Sequence, residues 1–553
     1  MTSSVGWDRV RAHGPWERVT RASVPPGTTA ERAWRDVVGD DAWMGPTEQA
    51  EIERKYDVQT KDALPQLHDV EGVAGAGEVR ELHLEATYFD TPALDLARHR
   101  ITLRRRTGGH DAGWHLKLAR SGDERAEFHL PLGSEVSTVP AGLVDPVRGI
   151  VRDRVLAPVA RVSTSRQEFP LTGEHEEVLA LVCDDVVTAE RLDGTGLVHV
   201  WREWEVELDH GHRRLLDTVE EALLRGGATP SASASKLART LGDAVPEKAP
   251  APSRLALAGG TSAGLLGAWL SEHTSRLLAE DAGVRTNSPS SVHRMRIAAR
   301  RLRSALTTYR PVLEQGVADG IRDELKWLGQ ALSEARDAQV LKDKLVRQLA
   351  LQRSDEVVGP VAARIEGELG TAYRRGCERA LDALNSTRYF RLLDGLEDLV
   401  GATPVSPLGG GPAKRLVPQL LRRDGKRLSR AISVAKATEG GDARDTALHE
   451  ARKKAKRLRY AAESAVPVFG PRAETLAKSV RKLQESLGEY QDSVVARERL
   501  IELSRIAMLA QESEFTYGRL HAIEEHAGLA AVPRFDKHVK SLPLRRLDRW
   551  VRQ

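Results

Sequence analysis

The segment Glu51-Ile52-Glu53-Arg54-Lys55 sets two carboxylates and an ammonium at alternate positions. On a strand, alternate side chains share a face, so Glu51, Glu53 and Lys55 point together and Ile52 and Arg54 point the other way. Three ionised groups side by side in a sheet are costly unless a ligand or metal balances them. A solvated strand face would carry the same five residues, so recurrence decides. Arg104 and Arg106 alternate in ITLRRR, Lys117 lies in WHLKL, and Arg125 and Glu127 alternate in ERAEF. Arg166 follows in STSRQEF, and Glu203, Glu205 and Glu207 alternate in REWEVEL.

Charges sorted this way suit a phosphate chain with a metal. Guanidinium forks grip phosphate oxygens bidentately. Clustered glutamates would repel that anion unless they hold a hard divalent cation, Mg²⁺ or Mn²⁺. No cysteine evidently partnered with histidine supplies a covalent nucleophile. Hydrolysis by metal-activated water is the chemistry that remains.

The elements that must position these groups are strands. The intervening residues Leu103, Trp114, Leu116, Leu118, Phe128, Leu130, Trp204, Val206 and Leu208 are apolar. A one-sided sheet would turn charge outward and apolar residues inward. Here each strand has an apolar face to bury and a charged face besides, a pattern that a closed sheet with a polar lumen satisfies.

The chain has 553 residues, 41% hydrophobic and 29% charged, with a net charge of +4, which excludes a disordered chain and a uniformly cationic nucleic-acid coat. Two cysteines are too few for a disulfide scaffold. The longest apolar run, Leu255–Leu270, falls short of the ~20 residues of a membrane span and holds four glycines. The first residues lack an apolar signal-peptide core, so a cytoplasmic location is expected, with no membrane partner.

Texture changes near residue 245, from strand-like to Ala-, Leu-, Arg- and Glu-rich helix, across the linker AVPEKAPAPSR. A second interruption spans Gly401–Ala413. The expected units are an extension over 1–46, a strand domain over 47–241, a linker over 242–262, a helical domain over 263–510 split near 401–413, and a tail over 511–553.

The helical part repeats itself. HRMRIAARRLR (His293–Arg303) matches HEARKKAKRLR (His449–Arg459), and LGQALSEARD matches LQESLGEYQD in the same register to within one residue. This reads as a duplicated bundle of about four helices per half. His293, Arg296, Arg300 and Arg303 fall within about 80° of helix circumference. His449, Arg452, Lys456 and Arg459 repeat the arc. Like charges at this spacing weaken a helix, so carrying them twice argues for an anionic partner. The alternative is a solvated basic face paired with Glu324, Glu334, Asp337, Glu485 and Asp492. Histidine there would add pH-dependent charge or bind metal.

These residues carry two resemblances. From about Gln49 to Leu241 the order ExExK, LRRR, GWHLKL, RAEF, VCDD, EWEVEL and SASKLAR resembles the CYTH family, the triphosphate tunnel metalloenzymes. The resemblance implies an eight-stranded antiparallel tunnel with helices, acting on nucleoside or inorganic triphosphates with a divalent metal. Glu51, Glu53, Glu203 and Glu205 would hold metal, with Glu127 and Asp184 in metal or water positioning and Glu207 ranked lower. Lys55, Arg104, Arg106, Lys117, Arg125, Arg166 and Lys236 would clamp phosphates, Lys236 from a helix plugging one tunnel mouth. The chain departs from the family at His129, where many members place a second carboxylate.

From about Leu265 to Leu503 the chain is similar to the CHAD family, which implies two four-helix bundles forming a basic channel for inorganic polyphosphate. Its positions fall on His293, Arg296, Arg300, Arg303, His449, Arg452, Lys456 and Arg459. The expected fold is thus α+β and multidomain, a β tunnel followed by an all-α duplicated pair of bundles. The expected function is an Mg²⁺- or Mn²⁺-dependent triphosphatase with a polyphosphate-binding module, free or docked on polyphosphate granules. The alternatives are a polyphosphate scaffold with little catalysis, or a hydrolase or cyclase of thiamine triphosphate or ATP. Few aromatic residues stand among the arginines to stack bases, which disfavours nucleic acid.

Overall fold

Alternation in the first half builds strands whose two faces are covered differently. A computed structural model describes residues 47–67, 69–119, 124–133, 137–245, 260–288 and 290–547. The expected 1–46 extension, most of the linker and the end of the tail lie outside the described residues. The described residues from Glu48 onward hold together as one unit.

The strands are β1 (Thr47–Val58), β2 (Arg80–Asp90), β3 (Thr102–Thr107), β4 (Gly113–Ala119), β5 (Glu124–Leu130), β6 (Ala157–Thr172), β7 (Val178–Arg191) and β8 (Val198–Leu208). They pair in the order β1-β5-β4-β3-β2-β6-β7-β8, and β8 pairs back to β1, so the eight close into an antiparallel barrel. Two-residue strands at Gly75–Ala76 and Thr229–Pro230 add to β6 and β1. The β1–β8 register sets Glu53 opposite Glu207, Lys55 opposite Glu205 and Asp57 opposite Glu203.

Both outer walls are covered by apolar packing. Tyr56, Val182, Trp204 and Val206 pack under Leu215, Leu216, Val219 and Leu223 of α1 (Arg213–Arg225). On another wall Leu103, Trp114, Leu116 and Phe128 pack under Leu143, Val147 and Val151. Each such fully buried side chain contributes roughly 1.5–3 kcal/mol. One end of the lumen is apolar as well. Helix α2 (Lys236–Leu241), capped by Ser235 Oγ accepting from the Ala238 N–H at 3.0 Å, inserts Leu237 and Leu241 among Tyr88, Ala160, Val162, Val187, Ala189 and Trp201. The barrel is plugged there.

The helices that follow are α3 (Ser262–Arg285), α4 (Ser291–Thr308), α5 (Val317–Ala331), α6 (Ser333–Ala350), α7 (Val361–Leu384), α8 (Thr387–Gly401), α9 (Ala413–Ala437), α10 (Asp442–Ser464), α11 (Pro471–Leu509) and α12 (Phe515–Ser541). The repeat is visible in this order: α3, α4, α5 with α6, and α7 correspond to α9, α10, α11 and α12, with α8 inserted between. One core joins both halves through Leu266, Leu302 and Leu328 of the first and Leu421, Leu458 and Leu483 of the second. A second core joins Leu345, Ile365 and Leu369 to Leu500, Leu503 and Leu520. The glycine-rich interruption is tied down, with Ala413 N–H bonded to Gly260 O and Ser262 N–H to Gly411 O.

Helical and barrel parts touch. Arg152, buried and at φ 61°, ion-pairs with Asp394 and with Glu397 of α8, the latter at 2.6 Å. Gly149 abuts the Asp281 carboxylate, where a Cβ would come within 2.6 Å of Oδ1. Among the described residues no helix is long and apolar enough to cross a membrane.

Candidate active site

Closing the sheet brings the alternating charges into one lumen. Glu53, Lys55, Arg104, Arg106, Lys117, Arg125, Arg166, Glu205, Glu207 and Lys236 line one cavity, with Tyr88 its aromatic member. Ile52 and Arg54 face outward, Arg54 onto Asp217 of α1 at 2.8 Å. Carboxylates and cations interleave inside. Lys55 meets Glu53 at 3.1 Å and also Glu205; Lys117 meets Glu51, and Glu127 at 3.7 Å; Arg125 meets Glu53. Arg166 takes Asp185 through Nε and Nη2, both at 2.8 Å, and Glu205 at 2.6 Å. Lys236 Nζ reaches Asp185 at 2.8 Å and Glu203 and Glu205 at 2.7 Å. Arg104 reaches the Tyr88 hydroxyl at 3.5 Å and Arg106 pairs with Asp111.

Burial penalises every one of these charges, and the partners decide which survive. For Glu53 burial is outweighed by Lys55, Lys117 and Arg125, which hold it down at about 2. Glu205 is likewise held low against burial by Lys236, Lys55 and Arg166. Glu51 goes the other way, to about 7: burial, with Glu53, Glu127 and Glu207 crowding it, exceeds the pull of Lys117. A carboxylate pressed by other carboxylates, with its Oε2 buried and accepting no hydrogen bond, has the surroundings that suit a cation ligand. Two sets of three carboxylates bring ligand atoms within 4.8 Å of one another: Glu51, Glu53 and Glu207, and Asp185, Glu203 and Glu205. Their all-oxygen donors fit a hard divalent ion.

The expected acid set needs correction at one position. Asp184 lies opposite Trp204, which is on the outer, α1-covered face, and its carboxylate receives Arg202 Nε at 2.8 Å and Nη2 at 2.6 Å. Asp185, opposite Glu203, is the residue that faces the lumen. Glu127 is inside but in neither carboxylate set, bonded instead to His115 Nδ1 at 2.7 Å. His115 shares parity with Lys117, a signal available in WHLKL, and burial pushes it down to about 4. His129, the departure from the family, packs its ring 4.9 Å from that of His115.

The duplicated helices form a separate basic groove. A cavity of about 400 Å³ between α4, α5 and α10 is lined by Arg296, Arg300, Arg303, His449 and Lys456, and also by Lys326, Lys454 and Arg457. Arg452 adjoins it, resting on Gly488 and 3.7 Å from Asp492. Arg459 does not reach it. Its guanidinium bonds Glu463 at 2.9 Å and Gln484 at 3.0 Å and stacks over Tyr460. Of the acids that could have neutralised the face, Asp337 takes Arg296 at 2.9 Å, whereas Glu324 and Glu334 pair with Arg388 and Arg379. Among the described residues Arg300, Arg303 and Lys456 have no ion-pair partner within 4 Å, so no carboxylate neutralises them directly. Burial and then Arg452 and Arg300 depress Lys456 to about 7. His293 is pushed down to about 4 by burial and then Arg336, Arg300 and Arg296, so it is neutral at pH 7.

A CYTH domain model matches residues 49–241 and a CHAD domain model matches residues 268–501. The chain belongs to the CYTH–CHAD family. Two proteins of Mycobacterium tuberculosis, named Uncharacterized protein Rv2226 and Uncharacterized protein MT2285, are each 38% identical to it over 521 residues, which is 92% of this chain and 98% of theirs. Among solved structures, PptA from Streptomyces chartreusis is similar at 21% identity and a TM-score of 0.42, covering 51% of this chain and all of its own. HpAC1 from Hippeastrum, described with a dominant triphosphatase activity, is 21% identical at a TM-score of 0.23, over 34% of this chain and 93% of its own. The CYTH assignment makes the N-terminal half of this CYTH–CHAD protein a domain of triphosphate-acting enzymes.

Proposed function

We propose that this CYTH–CHAD protein is a divalent-metal-dependent inorganic triphosphatase whose helical half binds polyphosphate. One observation carries the reading: a closed barrel gathers phosphate-gripping cations and metal-type carboxylates in one lumen, walled from solvent by apolar layers. A bound Mg²⁺ or Mn²⁺ supplies charge neutralisation and an acidified water. The chain's own residues do the rest. Arg104, Arg106, Arg125 and Arg166 offer planar donor forks to nonbridging oxygens, and Lys55, Lys117 and Lys236 add point charges to developing negative charge. Glu51, Glu53 and Glu207, or Asp185, Glu203 and Glu205, would hold the cation, and Glu127, bonded to His115, would position water. Among the described residues Tyr88 is the one aromatic ring lining the charged cavity, which favours bare phosphate chains over ATP or thiamine triphosphate.

In the groove, Arg296, Arg300, Arg303, His449 and Lys456, with Arg452 adjoining, would hold polyphosphate, raising local substrate concentration or docking the enzyme on polyphosphate granules; His293, expected among them, is not one of the residues that line it. The uncompensated charge there also favours a second reading, a polyphosphate scaffold with an idle tunnel. Phosphate release from tripolyphosphate, ATP, thiamine triphosphate and long polyphosphate, with Mg²⁺ or Mn²⁺, tests both. The triphosphatase reading expects release from tripolyphosphate that Glu51→Gln removes. No release, or release unchanged in Glu51→Gln, sinks it and leaves the scaffold.

A further inference from the structure

Of the lysines that line the helical groove, one differs from the rest in its surroundings. Lys326 is exposed, and Lys453 and Lys454 pair with Glu450 at 2.7 Å and 3.6 Å. Lys456 is half-buried, and among the described residues no carboxylate lies within 4 Å of its Nζ. Arg452, one turn earlier on α10, and Arg300 and Arg296 of α4 crowd it instead. The nearby acids are taken: Asp492 of α11 lies 3.7 Å from Arg452, and Asp337 of α6 pairs with Arg296 at 2.9 Å. Burial and this crowding depress Lys456 to about 7, so about half of it is a free amine at neutral pH. A lysine at the ordinary value is a free amine in fewer than about one molecule in a thousand. An amine freed of its proton beside other cations is a nucleophile.

The same groove carries groups that grip phosphate. Arg296, Arg300 and Arg303 line it with Lys456 and present donor forks that match phosphate oxygens. A small anion that joins a phosphate to an electrophilic carbon would be drawn in by its phosphate and meet a free amine there. Acyl phosphates have that chemistry. The guanidinium groups that bind their phosphate also stabilise it as it departs.

We propose that Lys456 is an acylation site, modified by acyl phosphates that bind in the groove. The neutral Nζ adds to the acyl carbon and the bond from that carbon to the phosphate oxygen breaks. Orthophosphate leaves with the electron pair and takes up the amine proton, so the products are an amide and HPO₄²⁻. A cation in the groove thereby becomes neutral, and the groove's hold on polyphosphate weakens. The inference rests on the groove being an anion site, as read above, and adds a covalent switch to it.

The test treats the full-length protein at pH 7, without divalent metal, with acetyl phosphate or with an uncharged acetylating ester. Mass spectrometry then follows each lysine. The ester reads the amine alone, and acetyl phosphate reads the amine and its recruitment together. Lys456 is expected to react at least about tenfold faster than the more exposed Lys453 with both reagents. Excess tripolyphosphate is expected to block the reaction with acetyl phosphate. Acetylated protein should bind long polyphosphate as weakly as Lys456→Gln, whereas Lys456→Arg should bind equally well before and after treatment. Equal rates at Lys456 and Lys453 with acetyl phosphate overturn the proposal, whatever the ester does. Fast acetylation of Lys456 that leaves polyphosphate binding unchanged overturns the switch. Fast acetylation of Lys456 in a protein that binds no polyphosphate keeps the acylation site and overturns the polyphosphate reading instead.

Discussion

Arg166 and Asp185 face each other across β6 and β7 in two parallel contacts, Nε to Oδ1 and Nη2 to Oδ2, each 2.8 Å long. Both are buried, and Nη2 also reaches Glu205. The pair aligns a guanidinium plane with the lumen and sets Nη1 3.8 Å from Glu207.

Arg166→Lys keeps the charge and loses the fork. One or two charge-assisted hydrogen bonds are worth roughly 1.5–3 kcal/mol each, so tripolyphosphate turnover is expected to fall about 10- to 100-fold. Steady-state kinetics with the circular dichroism spectrum as a folding control checks this. Unchanged turnover places Arg166 outside the chemistry.

The adjacent acids should separate cleanly. Asp185→Asn removes a lumen charge facing Arg166 and Lys236 and is expected to cut phosphate release at least about tenfold. Asp184→Asn breaks an outer-face pair with Arg202 and is expected to lower the melting temperature while activity at 25 °C persists. The reverse outcome would show that the strand register differs in solution.

Polyphosphate binding by the groove should weaken as pH rises. In the free protein burial, Arg452 and Arg300 depress Lys456 to about 7, so its ammonium is lost above that pH. A bound polyanion favours the charged form and returns the pKa towards the ordinary lysine value of about 10.4. Affinity is therefore fully expressed below about 7 and declines between those limits, by at most about tenfold per pH unit for one proton. Calorimetry across this window should show proton uptake, and Lys456→Arg should flatten the profile. His293, already neutral at pH 7, contributes nothing there.

Arg152 is an ionic contact between barrel and helices. Its own side chain is buried while Asp394 and Glu397 are more than two-fifths exposed, which screens the pair. Arg152→Ala is expected to cost about 1–3 kcal/mol, below the range for a fully buried pair. Thermal melting of the variant beside Asp394→Asn reads it; equal melting temperatures for all three proteins would leave the contact without weight.

Much of this was legible where one face was polar and the other apolar. β1, β4, β5 and β8 alternate, and their inward residues could be named from parity alone. β7 could not be resolved this way. Its sequence VLALVCDDVVTAER is apolar on both faces because Val187 and Ala189 pack inward against the plug, so nothing marked Asp185 rather than Asp184 as the lumen residue. Glu207 shared parity with Glu205, yet only closure of β8 onto β1 brings it to Glu53. In the helices the repeated arginines were visible, but not that Leu332 breaks the first copy into α5 and α6 while α11 runs unbroken. Nor did the pattern show that Arg459, unlike its counterpart Arg303, is held by Glu463.

The leucines of α2 turn the barrel into a blind alley. On the function proposed above, a phosphate chain longer than the bore would have to offer its terminus first, and orthophosphate would have to leave through the doorway the next molecule uses.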